Sequence, residues 1–151
     1  MATNSSNLNT KVDALYSTML SLKSTSPPED FDAFGAFFDK DCIVYLKSMR
    51  EHADPSIGRQ AAVDALKEIL AEYHIEIRRV LSRAISEDGS TVIVEMKNSL
   101  NVLGGTLDPF YETVIAKFNE EGLISELKTY SCRSHIVGMI QDKTGVGPYS
   151  K

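Results

Sequence analysis

The chain has 151 residues, enough to bury a core in one domain without disulfides or a structural metal. Its 16 Lys and Arg stand against 21 Asp and Glu, a net charge of -5, and no segment gathers enough basic residues to track a phosphate backbone. These numbers exclude a nucleic-acid binder, and the absence of any stretch near the roughly 18 apolar residues of a span excludes a membrane helix. The opening MATNSSNLNT lacks the apolar core of a signal peptide, so a cytoplasmic protein is expected. Cys42 and Cys132 form neither a CxxC nor a zinc spacing with histidine and read as buried thiols. Glycine-rich phosphate loops and a GxSxG elbow are missing.

Residues 1–7 read as a disordered N-terminus. Leu8, Val12, Leu15, Met19 and Leu22 then recur at spacings of three and four and predict an amphipathic helix ending near STSPP. Pro27, Pro28, Glu29 and Asp30 suit the first turn of a second helix, with Phe31, Phe34, Phe37 and Phe38 as its buried side. DCIVYLK reads as a strand, and residues 58–73 as a third helix with Ala62, Leu66, Ile69 and Leu70 on one face. The period then changes to that of strands. HIEIRRVLSRAIS, TVIVEMKNSLNV, FYETVIAKF and LISELKTYSCRS are four strand-like runs joined by EDGS, GGTLDP and NEEG, which predicts consecutive antiparallel hairpins. HIVGMIQDKTG adds a short helix before a flexible tail over 142–151. Helices first and a curved antiparallel sheet afterwards make an α+β domain over 8–141, with a pocket expected in the concave face of the sheet.

Between the first strand and the third helix, YLKSMREHADPSIGR collects Arg50, Glu51, His52 and Asp54. A solvated connector would use these residue types, and so would the rim of a catalytic cavity. His52 suits proton transfer near neutrality, Asp54 could orient it or act as a base, and Arg50 could hold an enolate or carboxylate.

The order of elements resembles the nuclear transport factor two-like superfamily, also called the SnoaL-like or cystatin-like cone fold. FFDKDCIVYL, IGRQAAVDALKEIL and FNEEGLISELKTYS carry the resemblance, which runs from about residue 8 to 141. That superfamily includes ketosteroid isomerase, scytalone dehydratase, SnoaL-type polyketide cyclases and small fungal isomerases of meroterpenoid skeletons, together with noncatalytic binding domains. The length, long first helix and polar loop are most similar to the fungal isomerases. The resemblance implies a cone-shaped pocket, no cofactor, and a homodimer through the outer face of the sheet.

Aligning FNEEGLI with the final hairpin of ketosteroid isomerase turns Phe118 inward, and strand alternation then fixes whole rows. Phe110, Glu112, Val114 and Ala116 share that face, as do Met96, Asn98 and Leu100 on the preceding strand and Thr129, Ser131 and Arg133 at the end of the last. Glu112 among Val and Ala would be desolvated, with its pKa raised into a useful range. A one-residue slip would put it in solvent. The position of that family's catalytic aspartate is held here by about Tyr45, a hydrogen-bond donor or general acid rather than a base, which counts against steroid isomerisation by that route. Tyr16 is placed to enter the cone from the first helix, or to be a core aromatic, and Leu66 to line the cone from the third. Tyr111 and Tyr130 have the opposite parity and suit a dimer surface.

The expectation is a cofactor-independent isomerase, cyclase or dehydratase acting on a hydrophobic polyketide- or terpenoid-derived molecule. Its catalytic set would be His52, Asp54, Glu112 and Tyr45, and its binding set Arg50, Asn98, Met96, Phe110, Thr129, Ser131, Arg133, Tyr16 and Leu66. Three dispersed histidines without a ligand motif give no metal site. The competing expectation is a noncatalytic binding or dimerisation module of the same fold.

Overall fold

A computed structural model describes residues 2–49 and 52–149, with side chains from residue 7 onward. Helix α1 (Ala2–Ser21) already has helical geometry at Ala2, ahead of its apolar stripe. Val12 and Leu15 of that stripe are fully buried, and Tyr16 beside them is 2% exposed. Helix α2 (Pro28–Gly35) opens on proline with Glu29 and Asp30 in its first turn. It ends earlier than the aromatic pattern suggests. Phe31 and Phe34 belong to it, whereas Phe38, fully buried, starts strand β1 (Phe38–Tyr45), its ring 5.1 Å from that of Phe34.

Strand β2 (Ser56–Ile57) pairs with β1 and runs into helix α3 (Arg59–Leu70) through Gly58. Gly58 has φ 89, a conformation that strains an L side chain, and its amide donates to the Cys42 carbonyl at 2.8 Å. Tyr73, expected at the end of the helix, instead begins strand β3 (Tyr73–Ile77).

The run HIEIRRVLSRAIS is two strands rather than one, β3 and β4 (Val80–Ile85), and both pair antiparallel with the same edge of β5 (Thr91–Val102). The break falls at Arg78 and Arg79. There the Asn98 side chain takes over part of the ladder, its Oδ1 accepting from the Arg79 amide at 3.2 Å, while the Lys97 amide donates to the Arg79 carbonyl at 2.8 Å. Strands β6 (Gly105–Phe118) and β7 (Ile124–Ser131) complete the meander, and β7 pairs parallel with β1. The result is a seven-stranded, strongly curved mixed sheet in the order β2-β1-β7-β6-β5-β3, with β4 also on β5. Helix α4 (Ser134–Thr144) follows, and beyond it the Tyr149 amide and carbonyl are both hydrogen-bonded to the Gln141 side chain.

The inward rows hold the core. Val92, Val94, Met96, Asn98 and Leu100 on β5 and Val114 and Ala116 on β6 have no exposure, and Leu127 and Thr129 on β7 almost none. Their partners of opposite parity, Tyr111 and Tyr130, are 56% and 43% exposed. Cys42 is buried as expected, but Cys132 is exposed, because the strand has ended by that point.

Thr129 fastens the end of β1. Its hydroxyl donates to the Tyr45 carbonyl at 2.7 Å, with the Leu46 carbonyl at 3.2 Å, and accepts from the Ser48 amide at 2.9 Å. Ser48 has φ 88, rare for a residue with a Cβ, and this bond helps to hold it there. Thr129→Val should therefore cost about 1–3 kcal/mol, because buried backbone groups lose a partner without any change of volume. A denaturant titration checks this, and a loss below about 0.5 kcal/mol would contradict the assignment.

Candidate active site

A narrow cleft opens between the concave face of the sheet and helices α1 and α3. Its free space is about 510 Å³ counted to the mouth. Leu46, Leu66, Ile69, Leu100 and Phe110 are among its apolar walls, and Leu20 and His74, both partly exposed, stand at its edge. The polar groups on its walls are Glu112, Tyr16, Tyr73, Thr129 and His74. Since the Thr129 hydroxyl is held by backbone, the interior polar set is Glu112 with two tyrosines.

Glu112 faces inward because the β6 register pairs it with Met96 on one side and Ser131 on the other. Burial among apolar neighbours disfavours its charged form and raises its pKa to about 7, against the opposing pull of the Tyr16 hydrogen bond and of the Arg133 and Arg78 charges. The Tyr16 hydroxyl donates to Glu112 Oε1 at 3.3 Å. Burial and the neighbouring carboxylate push the Tyr16 pKa well above its ordinary value, so the phenol stays protonated and remains a donor.

Arg78 supports Tyr16 from behind. Its guanidinium lies 4.5 Å from the Tyr16 ring centroid, contacts Met96 Sδ at 3.2 Å and pairs with Asp13 at 2.8 Å. Burial of Asp13 works against its ionisation, yet hydrogen bonds from Arg78 and Arg83 hold its pKa below the usual value. Tyr73 is the second phenol. Burial raises its pKa to about 12 despite the pull of Arg133, whose guanidinium lies 5.6 Å from the Tyr73 ring.

Tyr16→Phe isolates the first contact, since phenylalanine can keep the stack on Arg78 but donates nothing. The Tyr16 bond lowers the Glu112 pKa, so its loss should move the carboxyl midpoint above about 7. A carboxyl-carbon NMR titration reads this directly. A downward shift would contradict the assigned donor.

The residues singled out in the sequence divide clearly. Tyr16, Leu66, Phe110, Glu112 and Thr129 line the cleft. Met96 is packed beside Arg78, Ser131 pairs with Glu112 across the strands, and Arg133 stacks on Tyr73. Asn98 faces inward, but its Oδ1 serves the Arg79 amide.

Tyr45 is a correction: on β1 it is Cys42, Val44 and Leu46 that are buried inward, and Tyr45 lies across from Lys128 on the other face. Leu46 takes the place in the cleft expected for it. His52 and Asp54 are a second correction. Both are exposed and neither lines this cleft; His52 Nδ1 lies 3.3 Å from the Met49 carbonyl, and Asp54 borders a separate surface groove with Lys47 and Glu68. Arg50 falls outside the described residues.

Tyr73 and Arg78 were missed. Tyr73 was hidden by counting it as the last helical residue, although Tyr73, Ile75 and Ile77 alternate as a strand. Among the described residues, no three His, Cys, Asp or Glu side chains come together as a metal-ion group, and no helix is long and apolar enough to cross a membrane.

Neither a family model nor a curated protein matches the chain. Solved structures do. A candidate polyketide cyclase from Xanthomonas campestris pv. campestris superposes with a TM-score of 0.71 at 18% identity, over 91% of this chain and 98% of the other. BvnE pinacolase from Penicillium brevicompactum gives 0.67 at 15% identity, over 91% and 94%. SalBIII, an epoxide hydrolase/cyclase-like enzyme of pyran ring formation in the polyether salinomycin, gives 0.63 at 16% identity, over 84% and 92%. The chain shares the fold on which these three proteins are built.

Proposed function

We propose that the protein is an isomerase or cyclase that rearranges a hydrophobic, polyketide- or terpenoid-derived carbonyl compound by proton transfer, with Glu112 as the acid/base group. The observation that carries this reading is one inward carboxyl hydrogen-bonded by a buried phenol in a cleft whose walls are otherwise mainly apolar, surroundings that raise its pKa to about 7. A carboxyl titrating near neutrality is populated in both forms there and can take and return a proton within one turnover.

In this reading the Glu112 carboxylate removes a proton from the carbon next to the carbonyl. The resulting enolate oxygen is held by phenol donors, with the Arg133 charge beside Tyr73. Where a C=C is conjugated with the enolate, Glu112, now protonated, delivers the proton to the far carbon of that C=C, so the double bond shifts, the product is an isomer and Glu112 is restored. Apolar walls exclude water from the enolate, and the solved cyclase-like and pinacolase structures support this class of chemistry by analogy of fold. The exposed Tyr111 and Tyr130 mark the outer face on which a second copy would dock.

The test uses a panel of apolar cyclic ketones in D₂O, with deuterium incorporation next to the carbonyl followed by NMR. Enzyme-dependent exchange is expected for some members. Apolar ligands that bind throughout the panel without any exchange would identify a binding module instead.

A further inference from the structure

A second hollow adjoins the cleft at Tyr73 and Ile69, which border both spaces. Its free space is about 540 Å³ counted to the mouth, and its wall is completed by Lys47, Glu72 and Arg133 together with Val137, Ile140 and Val146. Arg133 is the unusual member. Its Nε is enclosed without a hydrogen-bond partner, and among the described residues no Asp or Glu pairs with its guanidinium, although five other cations and one histidine have acidic partners.

An enclosed guanidinium N–H left unmade is costly, and a guanidinium can meet the two oxygens of a carboxylate with two parallel N–H groups. Lys47 adds a second positive charge to the wall, although it is paired with Glu68. Glu72 opposes an anion, but it is exposed and its field is screened.

We propose that this hollow is an anion subsite of the active site, taking the carboxylate of an amphipathic acid whose apolar body lies in the main cleft, with Arg133 as its receptor. The proposal rests on the acid/base reading for what happens in the cleft, but it is independent of which residue moves the proton. Tyr73 borders both spaces, so the bound carboxylate fixes the distance between the substrate's acid end and the carbon presented to Glu112. The substrate class narrows from hydrophobic carbonyl compounds to oxo acids.

The probes are 4-phenylbutanoate and its neutral analogue 4-phenylbutanamide, titrated calorimetrically into the full chain at pH 8. The acid should bind at least about tenfold more tightly than the amide, the margin expected of a charge-assisted hydrogen bond. Arg133→Gln should remove that margin while leaving amide binding and the melting temperature in place, and Arg133→Lys should keep part of it. Glu112→Gln should leave the preference for the acid intact, so a failed acid/base reading and a failed subsite give different results. Equal affinity for acid and amide in the wild type, a margin that survives in Arg133→Gln, or no binding of either probe would overturn the proposal.

Discussion

Glu112→Gln is expected to lower the rate of ketone exchange at least about a hundredfold, the usual worth of a positioned general base. Glutamine keeps the length and shape of the side chain and can still accept from the Tyr16 hydroxyl, so the cleft keeps its walls and only the proton acceptor is lost. The wild-type rate should rise with pH and reach half its plateau near pH 7, because the working form is the carboxylate and its pKa is about 7. The Gln variant should lose both the rate and this inflection. A variant that retains more than about a third of the wild-type rate would remove Glu112 from the chemistry.

The same residue makes stability depend on pH, with a sign opposite to that of most carboxylates. In the unfolded chain Glu112 titrates near 4.5, and in the folded protein near 7. Between those values the folded state still holds a proton that the unfolded state has released, so raising the pH favours unfolding. The contribution is fully present below about 4.5 and is lost as the pH rises through about 7, amounting to about 3 kcal/mol. Glu112→Gln cannot ionise and escapes this loss.

Denaturant titrations of both proteins at pH 4.5 and pH 8 should show the variant gaining about 3 kcal/mol on the wild type across that interval. Asp13, with its lowered pKa, acts in the acid range and is common to both proteins, so it cancels in the comparison. Parallel curves would mean that Glu112 is solvated in the native state.

Much of this site was legible in the sequence because strand alternation is strict. Once Phe118 is turned inward, Glu112, Val114 and Ala116 follow by alternation; the one-residue slip that the sequence left open is decided by the structure, where Val114 and Ala116 are fully buried. The helices were legible by their stripes, and Tyr16 sat on the same face as Leu15 and Val12.

What failed was wherever a short or irregular segment left the periodicity without a clear end. Tyr45 was turned inward by matching it to another protein's position, whereas Val44 and Leu46, its apolar neighbours, are the buried pair on β1 and just beyond it. His52 and Asp54 drew attention by residue type, but nothing in a loop's sequence says which way it leaves the strand. Arg78 belongs to the break between β3 and β4, and adjacent arginines in a strand-like segment do not reveal which one folds over a tyrosine from α1.

The most direct measurement is the carboxyl-carbon chemical shift of Glu112 between pH 4 and pH 9, assigned by its disappearance in Glu112→Gln. One glutamate carboxyl titrating with a midpoint near 7, well apart from the others, is the predicted result. If every glutamate has completed its titration by about pH 5.5, Glu112 is an ordinary solvated carboxylate and the cleft has no acid/base group at its centre.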